Sequence, residues 1–131
     1  MIGQLARPTN NLLDAAGTWF LDSGIQEASG GVARYYRSDL GKNARVSTEI
    51  TGYAVSTLLF FYLRLGRSEY LESALRAARF LTRIAWDAQL RALPFEYSLN
   101  RDRSPALAFF FDTGILIRGL LAPGGVPHAP Q

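Results

Sequence analysis

Three acidic side chains stand where they could do chemistry: Asp39 in "RSDLGKN", Glu49 in "VSTEITGY" and Glu96 in "LPFEY". Arg34, Tyr35, Tyr36 and Arg37 precede the first of them in "ARYYRSD". Carboxylates can give and take protons, a guanidinium can clamp an anionic group by two parallel hydrogen bonds, and a tyrosine ring can stack on an apolar face. Elimination sends any chemistry to these residue types. There is no cysteine, and the single histidine, His128, stands in the Pro/Gly-rich stretch "PGGVPHAPQ". Disulfides, thiolate zinc sites, cysteine nucleophiles and every mechanism that needs two histidines are excluded. No metal-ligand set and no cofactor are expected.

Each candidate also has a purely structural reading. Glu49 in the first turn of a helix complements the positive end of the dipole, worth about 0.3–1 kcal/mol. Asp39 before Gly41 has the type and place of a turn residue. Glu96 lies between Phe95 and Tyr97 and otherwise reads as a surface loop acid. Asp112 has the position of a helix N-cap. Trp19 and Tyr53 fall at helical spacing, which reads as packing before it reads as ring stacking on a ligand.

The rest of the composition narrows the class further. A chain of 131 residues has the size of one ordinary domain, and 48% hydrophobic against 19% charged residues is the balance of a chain that folds. The net charge is +3, yet the fourteen basic residues are all arginine except Lys42 and are interleaved with acids. No basic stripe results, so no nucleic-acid partner is expected. The longest apolar run, near residues 54–63, is too short to cross a bilayer, and "MIGQLARPTNNLL" lacks the pattern of a leader. A cytoplasmic protein without a membrane partner is the expectation.

The elements that must position the candidates are helices. Leu12, Leu13, Ala16, Trp19 and Phe20 recur at helical spacing and predict a first helix over about residues 10–23. Residues 24–46 read as a long loop with room for a small hairpin at Val32–Tyr36. Ser47 or Thr48 then caps a second helix that is apolar on nearly every face from Tyr53 to Leu65, the pattern of a buried helix, ending at Gly66. A third helix, capped by Ser68, carries the stripe Leu71, Ala74, Leu75, Ala78, Leu81, Ala85 opposite Arg76, Arg79 and Arg83. The short turn between the two forces an antiparallel hairpin. A second long connection leads to a fourth helix from Thr113 to about Ala122, with Asp112 as cap and Phe111 stapled to Leu116. Residues 123–131 read as a disordered tail. The predicted fold class is therefore all-α, built of antiparallel helical hairpins.

The run "GGVARYYRSD" followed by "STEITGYAVSTLLFFYLRLGRSEYLESALRAARFLTRIAWD" resembles the (α/α) toroid proteins grouped as six-hairpin glycosidase-like. The likeness lies in a G-Y at the start of an inner helix, a short turn, and an outer helix opening Y-L-x-x-A. It implies a partial (α/α) toroid over residues 1–122, about two hairpins of a ring that needs several hundred residues, and hence a fragment that is inactive alone. It also implies a glycan substrate, as in glycoside hydrolases, polysaccharide lyases and sugar epimerases. Within that resemblance Glu49, Asp39 and Glu96 would be the catalytic carboxylates. Tyr35 and Tyr36 would stack on sugar rings, and Arg34 and Arg37 would hold a uronate. The alternative is a non-catalytic helical module, because two hairpins leave Phe60 and its neighbours uncovered, a face suited to self-association or to a helical partner.

Overall fold

The structure, a computed structural model, describes residues 9–97 and 107–125. Four helices are present: α1 (Thr9–Asp22), α2 (Thr48–Leu65), α3 (Ser68–Arg79) and α4 (Phe110–Leu121). With them stand three strands, β1 (Val32–Arg37), β2 (Lys42–Ser47) and β3 (Glu96–Tyr97), in an antiparallel sheet of order β1-β2-β3. The expectation of an all-α chain of helical hairpins is thus corrected: the fold is mixed α/β.

The sheet replaces most of the expected loop. "VARYYR" is rich in β-branched and aromatic residues, and it pairs with β2 in one register from Val32 opposite Ser47 to Arg37 opposite Lys42, interrupted only at Arg34 and Arg45. Gly41, at φ 61°, supplies the left-handed residue that closes the turn. β3 comes from the second long connection and sets Tyr97 opposite Val46 and Glu96 opposite Ser47. The inner side of the sheet packs on the end of α3, where Phe80 meets Tyr97 edge-on at 5.3 Å between ring centroids.

α2 is the central helix, and its start is cross-linked by hydroxyls. Ser47 Oγ accepts from the Ile50 N–H at 3.3 Å, the predicted cap. Thr51 Oγ1 donates to the Ser47 carbonyl at 2.6 Å and accepts from the Val32 N–H at 2.9 Å, tying helix to sheet. Thr48 Oγ1 donates to the Pro94 carbonyl at 2.6 Å. Gly66, in the left-handed conformation, ends the helix as predicted. α2 buries Val55, Leu58, Leu59 and Phe61 against α3 and α4, while Tyr53, Phe60 and Leu63 remain exposed. It is apolar all round but covered on one side.

Three local expectations change. Along α3 and the turn that follows it the buried line runs through Tyr70, Ser73, Ala74, Ala77, Phe80, Leu81 and Ala85; Ala74, Leu81 and Ala85 belong to the predicted stripe, whereas Leu71, Leu75 and Ala78 are only half-buried, because the Tyr70 ring fills the core beside Gly17 of α1 and Phe61. Ser68 is the first helical residue rather than the cap; Arg67 takes the capping position without a side-chain bond. In α4 the N-cap is Phe109, Asp112 lies buried inside the first turn, and Phe111 is exposed, so the predicted cap and staple do not form. The early start follows from Phe109, whose ring packs edge-on against Phe95 at 5.2 Å. Ala122–Gly125 form a turn of 3-10 helix that takes in residues 123–125 of the expected disordered tail, and residues 126–131, His128 among them, lie outside the described residues. Among the described residues no helix is long and apolar enough to cross a membrane.

Candidate functional site

The three strands and the first turn of α2 meet at one end of the sheet, and Arg34 stands at that junction. Its Nη2 lies 3.4 Å from Glu49 Oε2 and 3.2 Å from Ser47 Oγ, and its Nε lies 3.9 Å from Glu96 Oε1. Its guanidinium carbon is 4.4 Å from the centre of the Phe95 ring, a cation–π contact that fixes the plane of the side chain. Arg45 Nη1 reaches Glu96 Oε1 at 3.5 Å from the other side. Two guanidinium groups and two carboxylates thus form a charge-balanced quartet.

Pairing explains the convergence. The β1–β2 register sets Arg34 opposite Arg45, between the Ala33–Val46 and Tyr35–Ala44 pairs. The β2–β3 register sets Glu96 opposite Ser47, two residues before Glu49. Two like charges side by side across a ladder repel, and Glu96 with Glu49 offsets them. Arg45 also has φ 57°, a left-handed conformation that costs a non-glycine residue roughly 1–2 kcal/mol. Backbone strain of this kind gathers at functional positions.

Three of the four are half-buried, with Glu49 and Glu96 keeping 18% and 28% of their side-chain surface, while Arg45 is exposed. Arg34 Nε and Glu96 Oε1 are buried without a hydrogen bond of good geometry to any described group, so their 3.9 Å contact is an ion pair only, with donor and acceptor capacity unused. Arg45 and Glu96 continue into an open groove of about 500 Å³, whose walls include Glu27, Asn43 and Tyr97. Asn43 Nδ2 donates to Glu27 Oε1 at 2.8 Å and holds that carboxylate in place.

Of the predicted site residues, Glu49, Glu96 and Arg34 are brought together, and the other four are not. Asp39 lies in the β1–β2 turn, paired with Arg37, whose Nε is 3.1 Å from Asp39 Oδ1. That hydrogen bond holds the Asp39 carboxyl below its usual range and raises the Arg37 guanidinium. Both side chains are exposed, and the turn reading of Asp39 accounts for its position. Tyr35 and Tyr36 are exposed on β1 and line no part of the groove.

Arg45, Glu27, Asn43 and Tyr97 escaped the reading of the sequence. Only strand pairing gathers them, and no local motif marks them. Asp112 is also more than a terminal cap: it is buried on the side of α4 that bears Leu116 and Gly119, and its Oδ2 has no hydrogen-bond partner among the described residues. Its place in the first turn suits the helix dipole. No family model, curated protein or solved structure matches the chain.

Proposed function

We propose that this chain binds a glycan, as a carbohydrate-active protein of the glycosidase, lyase or epimerase type, at the groove bounded by Arg45, Glu96 and Tyr97. The observation that supports the reading is the single guanidinium of Arg34 in contact with Glu49 and with Glu96, the carboxylate that lines the groove. Sugar hydroxyls donate to carboxylates and accept from amides and guanidinium groups, and a pyranose face stacks on an aromatic ring. Glu27, Asn43, Arg45, Glu96 and Tyr97 offer that set on one surface. Because both carboxylates touch one rigid guanidinium, their nearest oxygens lie within about 10 Å of each other, a limit that includes the separations used in glycoside hydrolysis. Arg45, on the open side of the quartet, is the group that would hold a uronate.

Titration calorimetry with uronate-containing oligosaccharides tests the reading. Glu96→Gln and Arg45→Gln are expected to weaken binding at least tenfold, while Arg79→Gln, on the outer face of α3, leaves it unchanged. No binding by the wild-type chain, or equal loss in all three variants, would sink it.

A second reading, a non-catalytic helical module packing against another protein, is favoured by the exposure of Tyr53, Phe60 and Leu63 on α2. Phe60→Ser is expected to abolish capture of such a partner without altering glycan binding. Unchanged capture by that variant counts against this second reading.

A further inference from the structure

α4 carries a second apolar face, distinct from both the groove and the exposed side of α2. Its inner side, with Leu116 and Gly119, packs on Gly52 of α2. Its outer side carries Phe110, Gly114, Ile117 and Leu121, all exposed, with Phe110 at 96% and Leu121 at 72%. The steps between them are four, three and four residues, the a/d spacing that keeps one seam facing one partner helix. A lone apolar residue on a surface needs no explanation, but an outward seam on a helix apolar all round does.

We propose that this face of α4 pairs with the same face of a second copy of the chain, antiparallel about a two-fold axis near the middle of the helix. In that arrangement Phe110 meets Leu121 of the other copy and Gly114 meets Ile117. Each pair recurs on the other side of the axis, as an isologous contact requires, with Ile117 against Gly114 at the centre and Phe110 against Leu121 at the two ends. A Cβ at Gly114 would meet nothing within 4 Å inside the chain, so a second helix can approach closely there. The charge on α4 beyond its first turn is Arg118, which falls opposite Thr113 of the other copy, so the two cations do not face each other. With Leu107 and Phe111 at its flanks the seam presents on the order of 600 Å² of apolar surface per copy, against about 800 Å² per partner in a stable interface. That is at the upper end of the largest patch a monomer ordinarily leaves in water.

Sedimentation velocity on the wild-type chain and on Ile117→Glu tests the pairing. The wild-type chain is expected to sediment as a dimer, twice 14.5 kDa, at tens of micromolar, and Ile117→Glu as a monomer with an unchanged circular dichroism spectrum. A wild-type monomer at 100 µM overturns the proposal, as does a dimer that survives Ile117→Glu or an open-ended series of larger species. Should Ile117→Glu fail to fold, cross-linking decides. The chain has no cysteine, and because Gly114 faces Ile117 rather than Gly114 of the other copy a direct disulfide is out of reach; Gly114→Cys with a short bis-maleimide should instead give a covalent dimer, and Thr82→Cys, just beyond α3, should not. Equal cross-linking at both positions, or none at either, rules the seam out.

Discussion

Replacing Gly119 by alanine tests the docking of α4 on α2, on which the placement of Phe109, Phe95 and therefore Arg34 depends. An added Cβ would sit 2.5 Å from the Gly52 carbonyl oxygen and 3.1 and 3.2 Å from its carbon and Cα. Ordinary contacts begin about 1 Å further out than the first of these, and both partners are helix backbone that cannot rotate away. The helices must separate, which loosens Leu116 as well; overpacking of this kind costs about 1–3 kcal/mol. Alanine in a helix interior returns about 1 kcal/mol of propensity, so the expected net loss is about 0–2 kcal/mol.

Gly114→Ala is the matched control, since the same added methyl meets nothing within 4 Å there. It should gain about 0.5–1 kcal/mol. Urea unfolding followed by circular dichroism reads the difference, with both substitutions placed in the Ile117→Glu background so that self-association does not enter. The propensity gain is common to both, so a gap of roughly 1–3 kcal/mol between the variants is expected, or about 0.5–1.5 M in midpoint at a slope of about 2 kcal/mol/M. Equal shifts of the same sign would refute the packing of α4 on α2.

Thr51→Val should cost about 1–3 kcal/mol in the same assay, because it leaves the buried Val32 N–H without its 2.9 Å acceptor. Tyr70→Phe should be neutral or stabilising by up to about 1 kcal/mol, since the buried Tyr70 hydroxyl has no partner among the described residues; a large loss would show that the hydroxyl has one. The lowered Asp39 carboxyl gives the hairpin turn a contribution that is complete above the ordinary carboxylate range and lost as pH falls through the folded value. Asp39→Asn should therefore show a shallower fall of stability in acid than the wild-type chain, and parallel acid limbs would exclude the Arg37–Asp39 pair as a contributor.

What was legible in the sequence was what depends on near neighbours. Ser47 as cap, Gly66 as stop, the αα-hairpin and the exposed arginines of α3 follow from spacings of three or four residues, and the structure has them. "VARYYR" was readable as extended because of its composition. β2, "KNARVS", was not, because a polar segment with two cations and no alternation becomes a strand only by pairing with β1. β3 is two residues long and exists only through β2. The candidate site shares that non-local origin: Glu49 could be singled out from its helix start, but its contact with Arg34, and through it with Glu96, depends on two strand registers. Tyr70 misled the reading of α3 because a tyrosine beside a leucine is not the obvious core residue; Gly17, far along the chain, makes the room for it.

The proposed glycan site is the groove lined by Glu96, the carboxylate that Arg34 gathers with Glu49. Amide chemical shifts followed during titration with uronate-containing oligosaccharides test it most directly. Binding at the groove should give saturable shifts at Glu27, Asn43, Arg45, Glu96 and Tyr97, none along the outer face of α3, and their loss in Arg45→Gln. Shifts centred on Tyr35, Tyr36 and Arg37 instead, or no saturable shift at millimolar oligosaccharide, would contradict it.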